Sequence, residues 1–285
     1  MTPAWLDRAE FPFAPHWLGV GAGRLHYVDE GEGRPVVMVH GTPTWSFLYR
    51  HLIKALSPQH RCVAPDLLGF GLSDRPQTAS YRPEDQARRL AALIDTLGLK
   101  DLTLVVHDFG GPIGLAYAID HPDRVSSLVL FNTWMWSLAG DRRFVWIGRI
   151  LGSSFGRMLY ERFGFSVNVL WRQAIADKAR YTKAIRRHYI GPLGRGRRQA
   201  TWAYARALLG SSAWYESLWQ RRDRLARIPA LLIWGMKDPA FGRFLDRWRT
   251  VFEDAAVVAL PDAGHAPPEE RAPEVIPIIA RFLGK

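Results

Sequence analysis

The stretch Val105-Val-His-Asp-Phe-Gly-Gly-Pro-Ile-Gly114 decides the fold. It overlaps Leu102-Thr-Leu-Val-Val106, an apolar run without alternation, as a strand buried on both faces should be. Asp108 follows, then Gly110 and Gly111, then a helix beginning near Pro112. A strand that turns sharply into a helix through small residues lifts one side chain above the sheet, the layout of a nucleophile elbow. The usual occupant is serine, and here it is Asp108. A serine hydroxyl needs a base to lose its proton and attacks acyl carbon. A carboxylate is ionised at neutral pH and suits displacement at saturated carbon, leaving an alkyl ester on the protein. The departing group is then a halide or the oxygen of a strained epoxide. The competing role for Asp108 is a helix N-cap, which aspartate fills well.

The partners of such a nucleophile follow in the order nucleophile, acid, histidine. Leu231-Leu-Ile-Trp-Gly-Met-Lys-Asp238 reads as a strand ending in a glycine turn, with Asp238 at its carboxyl end. Ala256-Val-Val-Ala-Leu-Pro-Asp-Ala-Gly-His265 is another, with His265 just past Gly264. Catalytic groups in open α/β sheets gather at the carboxyl ends of strands. His265 would activate water against the ester, and Asp238 would orient its ring and stabilise the imidazolium. A surface-loop histidine is the plainer role for His265. Asp262 is a weaker rival for the acid and suits a turn cap. His40-Gly-Thr-Pro-Thr-Trp45 also follows a buried strand; the backbone N–H of Thr42 would pair with that of Phe109 as an oxyanion hole.

Short apolar runs alternate with amphipathic stretches elsewhere, which argues for parallel βαβ units. Strands are expected at Arg24–Val28, Pro35–His40, Arg61–Pro65, Leu102–His107, Val125–Phe131, Ala230–Trp234 and Ala256–Leu260, with a helix over Glu84–Leu97. From about Met135 to Arg224 the rhythm turns to helix formers interleaved with Trp, Tyr and Arg. The expected architecture is α/β: a mostly parallel twisted sheet flanked by helices, core residues 1–134 and 224–285, and an inserted helical cap over 135–223.

The chain has 285 residues, 48% hydrophobic and 23% charged, the balance of a globular protein. No apolar stretch reaches the roughly 18 residues of a membrane helix, and Met1 to Trp17 carries no signal-like apolar region. One cysteine, Cys62, excludes an internal disulfide and a multi-thiolate metal site. These features set the expectation of a cytoplasmic protein without a membrane partner; a monomer is favoured over an oligomer. The net charge is +11, concentrated between Arg142 and Arg198, with Arg186-Arg187 and Arg195-Gly-Arg197-Arg198 standing out. No nucleic-acid motif accompanies them, so a solvated basic face is the expectation and no nucleic-acid partner.

The chain resembles the haloalkane dehalogenases of the α/β-hydrolase superfamily over nearly its whole length. The resemblance rests on His40-Gly-Thr-Pro-Thr-Trp45, Asp66-Leu-Leu-Gly-Phe-Gly-Leu-Ser-Asp74, His107-Asp-Phe-Gly-Gly-Pro-Ile-Gly114, His121-Pro-Asp-Arg-Val125, Gly235-Met-Lys-Asp238 and Asp262-Ala-Gly-His265. It implies hydrolysis of a carbon–halogen bond to alcohol, halide and a proton. The partner would be a small apolar halogenated substrate, with neither metal nor organic cofactor. Some members carry a glutamate after the strand that here ends Leu130-Phe-Asn132, so the Asp238 pattern applies. Two positions depart from the family. Most members place Trp after the nucleophile as a halide ligand, where this chain has Phe109; many have Asn where Thr42 stands. Thr42 offers a hydroxyl, and tryptophans could substitute: Trp45, Trp134, Trp136, Trp171, Trp202 and Trp214 all come into question. Trp45, Trp134 and Trp136 follow core strands and are the ones expected near the pocket.

An epoxide hydrolase is the first rival, sharing the triad and protonating the ring oxygen with cap tyrosines. Tyr160, Tyr181, Tyr189, Tyr204 and Tyr215 supply that residue type. The rival of another class is a non-catalytic shell binding a small apolar ligand; such shells commonly lose a triad member.

Overall fold

Eight strands form one sheet in this computed structural model, which describes residues 3–194 and 196–284. They are β1 (His16–Gly19), β2 (Arg24–Glu30), β3 (Pro35–Val39), β4 (Arg61–Pro65), β5 (Leu102–Asp108), β6 (Val125–Thr133), β7 (Ala230–Gly235) and β8 (Ala256–Leu260). Their order across the sheet is β1-β2-β4-β3-β5-β6-β7-β8. β1 and β2 run antiparallel to their neighbours, and every pairing from β4 to β8 is parallel. The architecture is the expected one, a mostly parallel sheet flanked by helices. All seven strands expected from the sequence are present. β1 escaped because His-Trp-Leu-Gly is four residues long, has no β-branched residue and alternates half-buried with exposed positions at the edge.

Period-two alternation divides the sheet into two cores. Val37, Val39, Leu104, Val106, Leu130 and Leu232 face helices Pro83–Thr96 and Gly110–Asp120. Val36, Met38, Val105, Val129, Phe131 and Ile233 face helices Arg50–Leu56 and Ala272–Leu283. Every residue of β5 is buried, which is why its sequence is apolar without alternation. The helix Pro83–Thr96 begins with proline and then Glu84 and Asp85, residues that suit the positive end of a helix dipole.

Between β6 and β7 no residue pairs into the sheet among the described residues, and helices occupy the interval. The main ones are Arg142–Gly152, Ser154–Phe163, Lys183–Ile190, Gln199–Gly210 and Ser212–Gln220. Local capping sets several of their starts: the Asp141, Ser153 and Thr182 side chains accept from Arg143 N, Gly156 N and Ile185 N. Gly164, at φ +64°, ends the second helix in the left-handed conformation. The chain then makes a π-helical turn, Ser166–Leu170, that leads directly into Trp171. Of the basic run noted in the sequence, Arg195 lies outside the described residues.

No helix among the described residues is long and apolar enough to cross a membrane. Cys62 is buried in β4, and burial pushes its thiol up to about 12, the environment of an inert packed residue.

Candidate active site

The β5-to-helix turn is tight because backbone and side chains crowd it. Asp108 ends β5 at φ +53°, a left-handed conformation that a non-glycine residue adopts at a cost of about 1–3 kcal/mol. The register with β6 shifts between His107 and Asp108. The Thr133 hydroxyl clamps the turn by donating to the Asp108 carbonyl at 2.6 Å. Small neighbours are obligatory: a Cβ on Gly110 would strike the Val39 carbonyl, and one on Gly41 would strike the Asp108 carboxylate.

Three strand ends bring the titratable groups together. His265 Nδ1 lies 2.7 Å from Asp238 Oδ2, and its Nε2 lies 3.4 Å from Asp108 Oδ2. The other Asp108 oxygen, Oδ1, accepts from the Thr42 backbone N–H at 2.8 Å. All three titratable side chains are buried. Phe109 occupies the N-cap position of helix Gly110–Asp120, and its ring borders the cavity in front of Asp108.

Burial by itself would pull the His265 imidazole down, but the charge of Asp238 and the hydrogen-bonded Asp108 reverse this and hold it up at about 10. Burial would likewise raise Asp238, and His265 together with backbone N–H groups brings it below the usual carboxylate range. His107 behaves oppositely: burial first, then His265, press it down to about 3. It is therefore neutral, and its Nε2–H donates to the His265 carbonyl at 2.7 Å. His40 is neutral for the same primary reason, burial; Nδ1–H donates to the Gly41 carbonyl and Nε2 accepts from Leu67 N.

Two supporting residues were missed as such by sequence reasoning. Asn132 entered only as the place where a glutamate is absent. Its Nδ2 donates to both Asp238 Oδ2 and the Gly235 carbonyl at 2.9 Å, and its Oδ1 accepts from Gly235 N. The second is Glu270, whose carboxylate accepts from Gly264 N and Ala266 N beside His265 and from Ala176 N and Asp177 N in the helical insertion. No local pattern in the sequence announces that role.

The cavity holds about 350 Å³ and is lined mostly by apolar side chains. Thr42, Phe109, Asp108, Asp238 and His265 border it, as do Tyr160, Trp171 and Tyr204 from the insertion. Tyr181, Tyr189 and Tyr215 do not line it. The three tryptophans expected near the pocket require correction, since none of Trp45, Trp134 and Trp136 lines it. Trp45 is fully buried, with its indole N–H given to the His188 carbonyl at 2.8 Å. Trp134 packs edge-on against Phe109 and stacks on Phe241, behind the cavity wall. Trp136 is consumed by packing with Trp219, Phe244 and Trp248. Following a strand in sequence fixes a position but not the direction of a side chain. Trp171 lines the cavity instead, edge-on to His265, and its buried Nε1–H has no hydrogen-bond partner. The hydroxyls of Thr42 and Ser166, which also border the cavity, are likewise buried without partners. No cluster of His, Cys, Asp and Glu suited to a metal occurs among the described residues.

The family model for the α/β hydrolase fold matches residues 34–272, so the chain belongs to the α/β hydrolases. Within that class it is a haloalkane dehalogenase-like member. It is 38% identical to "Haloalkane dehalogenase 2" of Mycobacterium tuberculosis, over 97% of both chains. It is also 35% identical to the cis-3-alkyl-4-alkyloxetan-2-one decarboxylase of Shewanella oneidensis, over 95% of this chain and 89% of that one. Among solved structures, a mutant of the haloalkane dehalogenase DatA from Agrobacterium tumefaciens C58 superposes with a TM-score of 0.87 at 25% identity, covering 98% of this chain and all (100%) of the other.

Proposed function

We propose that the protein hydrolyses alkyl halides, with Asp108 as nucleophile, His265 as base and Asp238 as the acid that orients it. The observation that carries this reading is the split of the Asp108 carboxylate: Oδ1 is held by Thr42 N, and Oδ2 is left facing His265 at 3.4 Å. Oδ2 is then the atom that attacks carbon as the carbon–halogen bond breaks, releasing halide and forming an alkyl ester. The unpartnered donors Trp171 Nε1–H, Ser166 Oγ–H and Thr42 Oγ1–H would take the developing charge that Phe109, lacking an N–H, cannot.

Esterification removes the Asp108 charge, one of the influences that hold His265 protonated. The imidazole then gives up its proton and becomes the base that takes a proton from water attacking the ester carbonyl. The new oxyanion is Oδ1, already against Thr42 N, with Phe109 N–H as the second donor. Collapse breaks the Cγ–Oδ2 bond, the His265 proton leaves with the alcohol, and the proton on the hydroxyl added from water returns to His265, which restores the Asp108 carboxylate. The sum is alkyl halide plus water to alcohol, halide and one proton. Residues 1–134 and 224–285 form the catalytic core in this reading, and 135–223 the cap that roofs a dry pocket.

Two observations favour second substrates on the same nucleophile. Tyr160 and Tyr204 line the cavity, and burial, then the Asp108 charge, holds both phenols protonated, as donors to an epoxide oxygen must be. The oxetanone-decarboxylase relative brings a strained four-membered lactone into consideration. One experiment separates them. His265→Gln is incubated with a brominated alkane, with styrene oxide and with a dialkyl oxetan-2-one, and intact mass is recorded. A bromide-free alkyl adduct supports dehalogenation. An adduct only with the epoxide, or alkene and carbon dioxide only from the lactone, replaces it, and no adduct with any of the three overturns the covalent mechanism.

A further inference from the structure

A second concavity of about 440 Å³ lies where the segment after β4 meets the helical insertion, and it differs in character from the catalytic pocket. None of Asp108, Asp238 and His265 borders it. Arg75 and Gln77 enter from the core side, and Arg157, Glu161, Arg197 and Arg198 from the insertion. Four guanidiniums thus face one carboxylate.

The hydrogen bonds show which of these charges are already used. Arg157 pairs with Glu161 at 3.1 Å and lies over the Trp202 ring. Arg198 is buried and ties its guanidinium to the carbonyls of Leu193, Glu161 and Arg162. Arg75 donates to the carbonyls of Ser73 and Gly71, and its buried Nε–H has no hydrogen-bond partner. Among the described residues neither Arg75 nor Arg197 forms an ion pair. The two carboxylates felt by Arg75 are engaged elsewhere, Asp66 with His26 at 2.9 Å and Asp74 with Arg24 at 3.1 Å. Burial and the nearby Arg197 pull the Arg75 guanidinium down to about 10, yet it still carries its charge at neutral pH. Two cations therefore line one cavity, one of them largely enclosed, and neither has an ion-pair partner among the described residues.

We propose that this cavity binds a small molecule bearing a phosphate group, with Arg75 and Arg197 as its charge partners. A phosphate ester carries about −1.5 to −2 at neutral pH and several acceptor oxygens, matching two uncancelled guanidiniums. The volume falls in the range of roughly 300–1,000 Å³ typical of small-molecule sites, so an organic remainder fits beside the phosphate. Arg75 comes from the core and Arg197 from the insertion, so the ligand bridges the two. Helix Gln199–Gly210 adjoins both cavities, with Ala200 in this one and Tyr204 in the catalytic one.

Binding is measured by calorimetry and thermal shift with inorganic pyrophosphate near physiological salt, where weak surface attraction is screened. The intact protein should give a saturable rise in melting temperature. Arg197→Ala, at an exposed position, should bind at least about tenfold more weakly, the worth of one lost charge-assisted contact. Gln77→Glu, which sets a negative charge at the rim, should weaken binding as well and guards against a misfolded first variant. Arg281→Ala removes the same charge from the C-terminal helix and should bind like the unaltered protein. Absence of saturation, equal weakening in Arg281→Ala, or citrate binding as tightly as pyrophosphate would each overturn the assignment. None of these readouts depends on turnover, so they stand or fall apart from the proposed reaction.

Discussion

The two walls of the catalytic cavity are built on opposite terms. On the sheet side the polar groups of the triad are saturated: Asp238 receives Asn132, Ala240 N and His265, and Asp108 receives Thr42 N. On the insertion side Trp171 Nε1 and Ser166 Oγ are buried with no partner inside the protein. Saturated groups are fixed before substrate arrives, as preorganised chemistry requires. Unsaturated buried donors each cost about 1–3 kcal/mol until something accepts from them, and those that line the cavity are placed where a ligand could do so. In the proposed reaction the sheet side would supply the chemistry and the insertion side would hold the substrate. Thr42 Oγ1 is an open donor on the sheet side of the cavity, and Trp134 Nε1, behind that wall, is another.

That contrast can be broken in four places. Asp108→Ala removes the proposed nucleophile and should lower halide release by about 10⁴-fold or more, read as bromide production; residual turnover near the native rate would refute the covalent route. Next comes the seam between the walls. Arg50, from the core, makes a two-pronged contact with Glu269 at 2.7 Å, and Tyr189 of the insertion also donates to Glu269. Glu269→Ala leaves the buried Arg50 guanidinium with only the partly exposed Glu10 at 3.3 Å as a carboxylate partner and should cost about 3 kcal/mol in denaturant unfolding. Two indoles then sharpen the comparison. Trp171→Phe keeps the ring and deletes the open donor, so kcat should fall about 10²-fold with little change in stability. Trp45→Phe deletes a donor already engaged with the His188 carbonyl and should cost about 1–2 kcal/mol of stability with turnover kept.

The remaining test is in pH. His265 sits at about 10 when folded, above its ordinary 6.5. A raised value means the folded state binds the proton more tightly, so this stabilisation is full below about pH 6.5 and disappears as the pH rises through about 10. The melting temperature should therefore drop between pH 7 and 10.5. His265→Gln should flatten that drop, and an unchanged slope would show that the imidazole is not held by its two carboxylates.

Which parts of this were legible beforehand follows from the range of the forces involved. The strand runs, the glycine-rich turn after Asp108 and the order Asp108, Asp238, His265 are local patterns with local causes, and the elbow could be read from ten residues. The edge strand His16–Gly19 has too few residues for a period to show. The aromatic lining was read least well, because whether an indole meets cavity or core depends on what packs against it. Trp134 finds Phe241, and Trp136 finds Trp248, more than a hundred positions away. Trp171 stood among the six tryptophans that came into question but not among the three expected near the pocket, because it follows no strand and the π-helical turn that leads into it is announced by no residue pattern. The Arg75–Arg197 cavity was invisible for the same reason: the sequence showed a basic run, and only the fold set it against Arg75.

Glu270 gives the two walls a common fate. One carboxylate gathers amide hydrogens from the turn carrying His265 and from the stretch after Trp171, and His265 N in turn donates to the Ala174 carbonyl. A roof pinned in this manner cannot lift near that rivet without dragging the imidazole along. A guest too bulky for the cavity as it stands would have to be admitted elsewhere than at that corner if the imidazole is to keep its place.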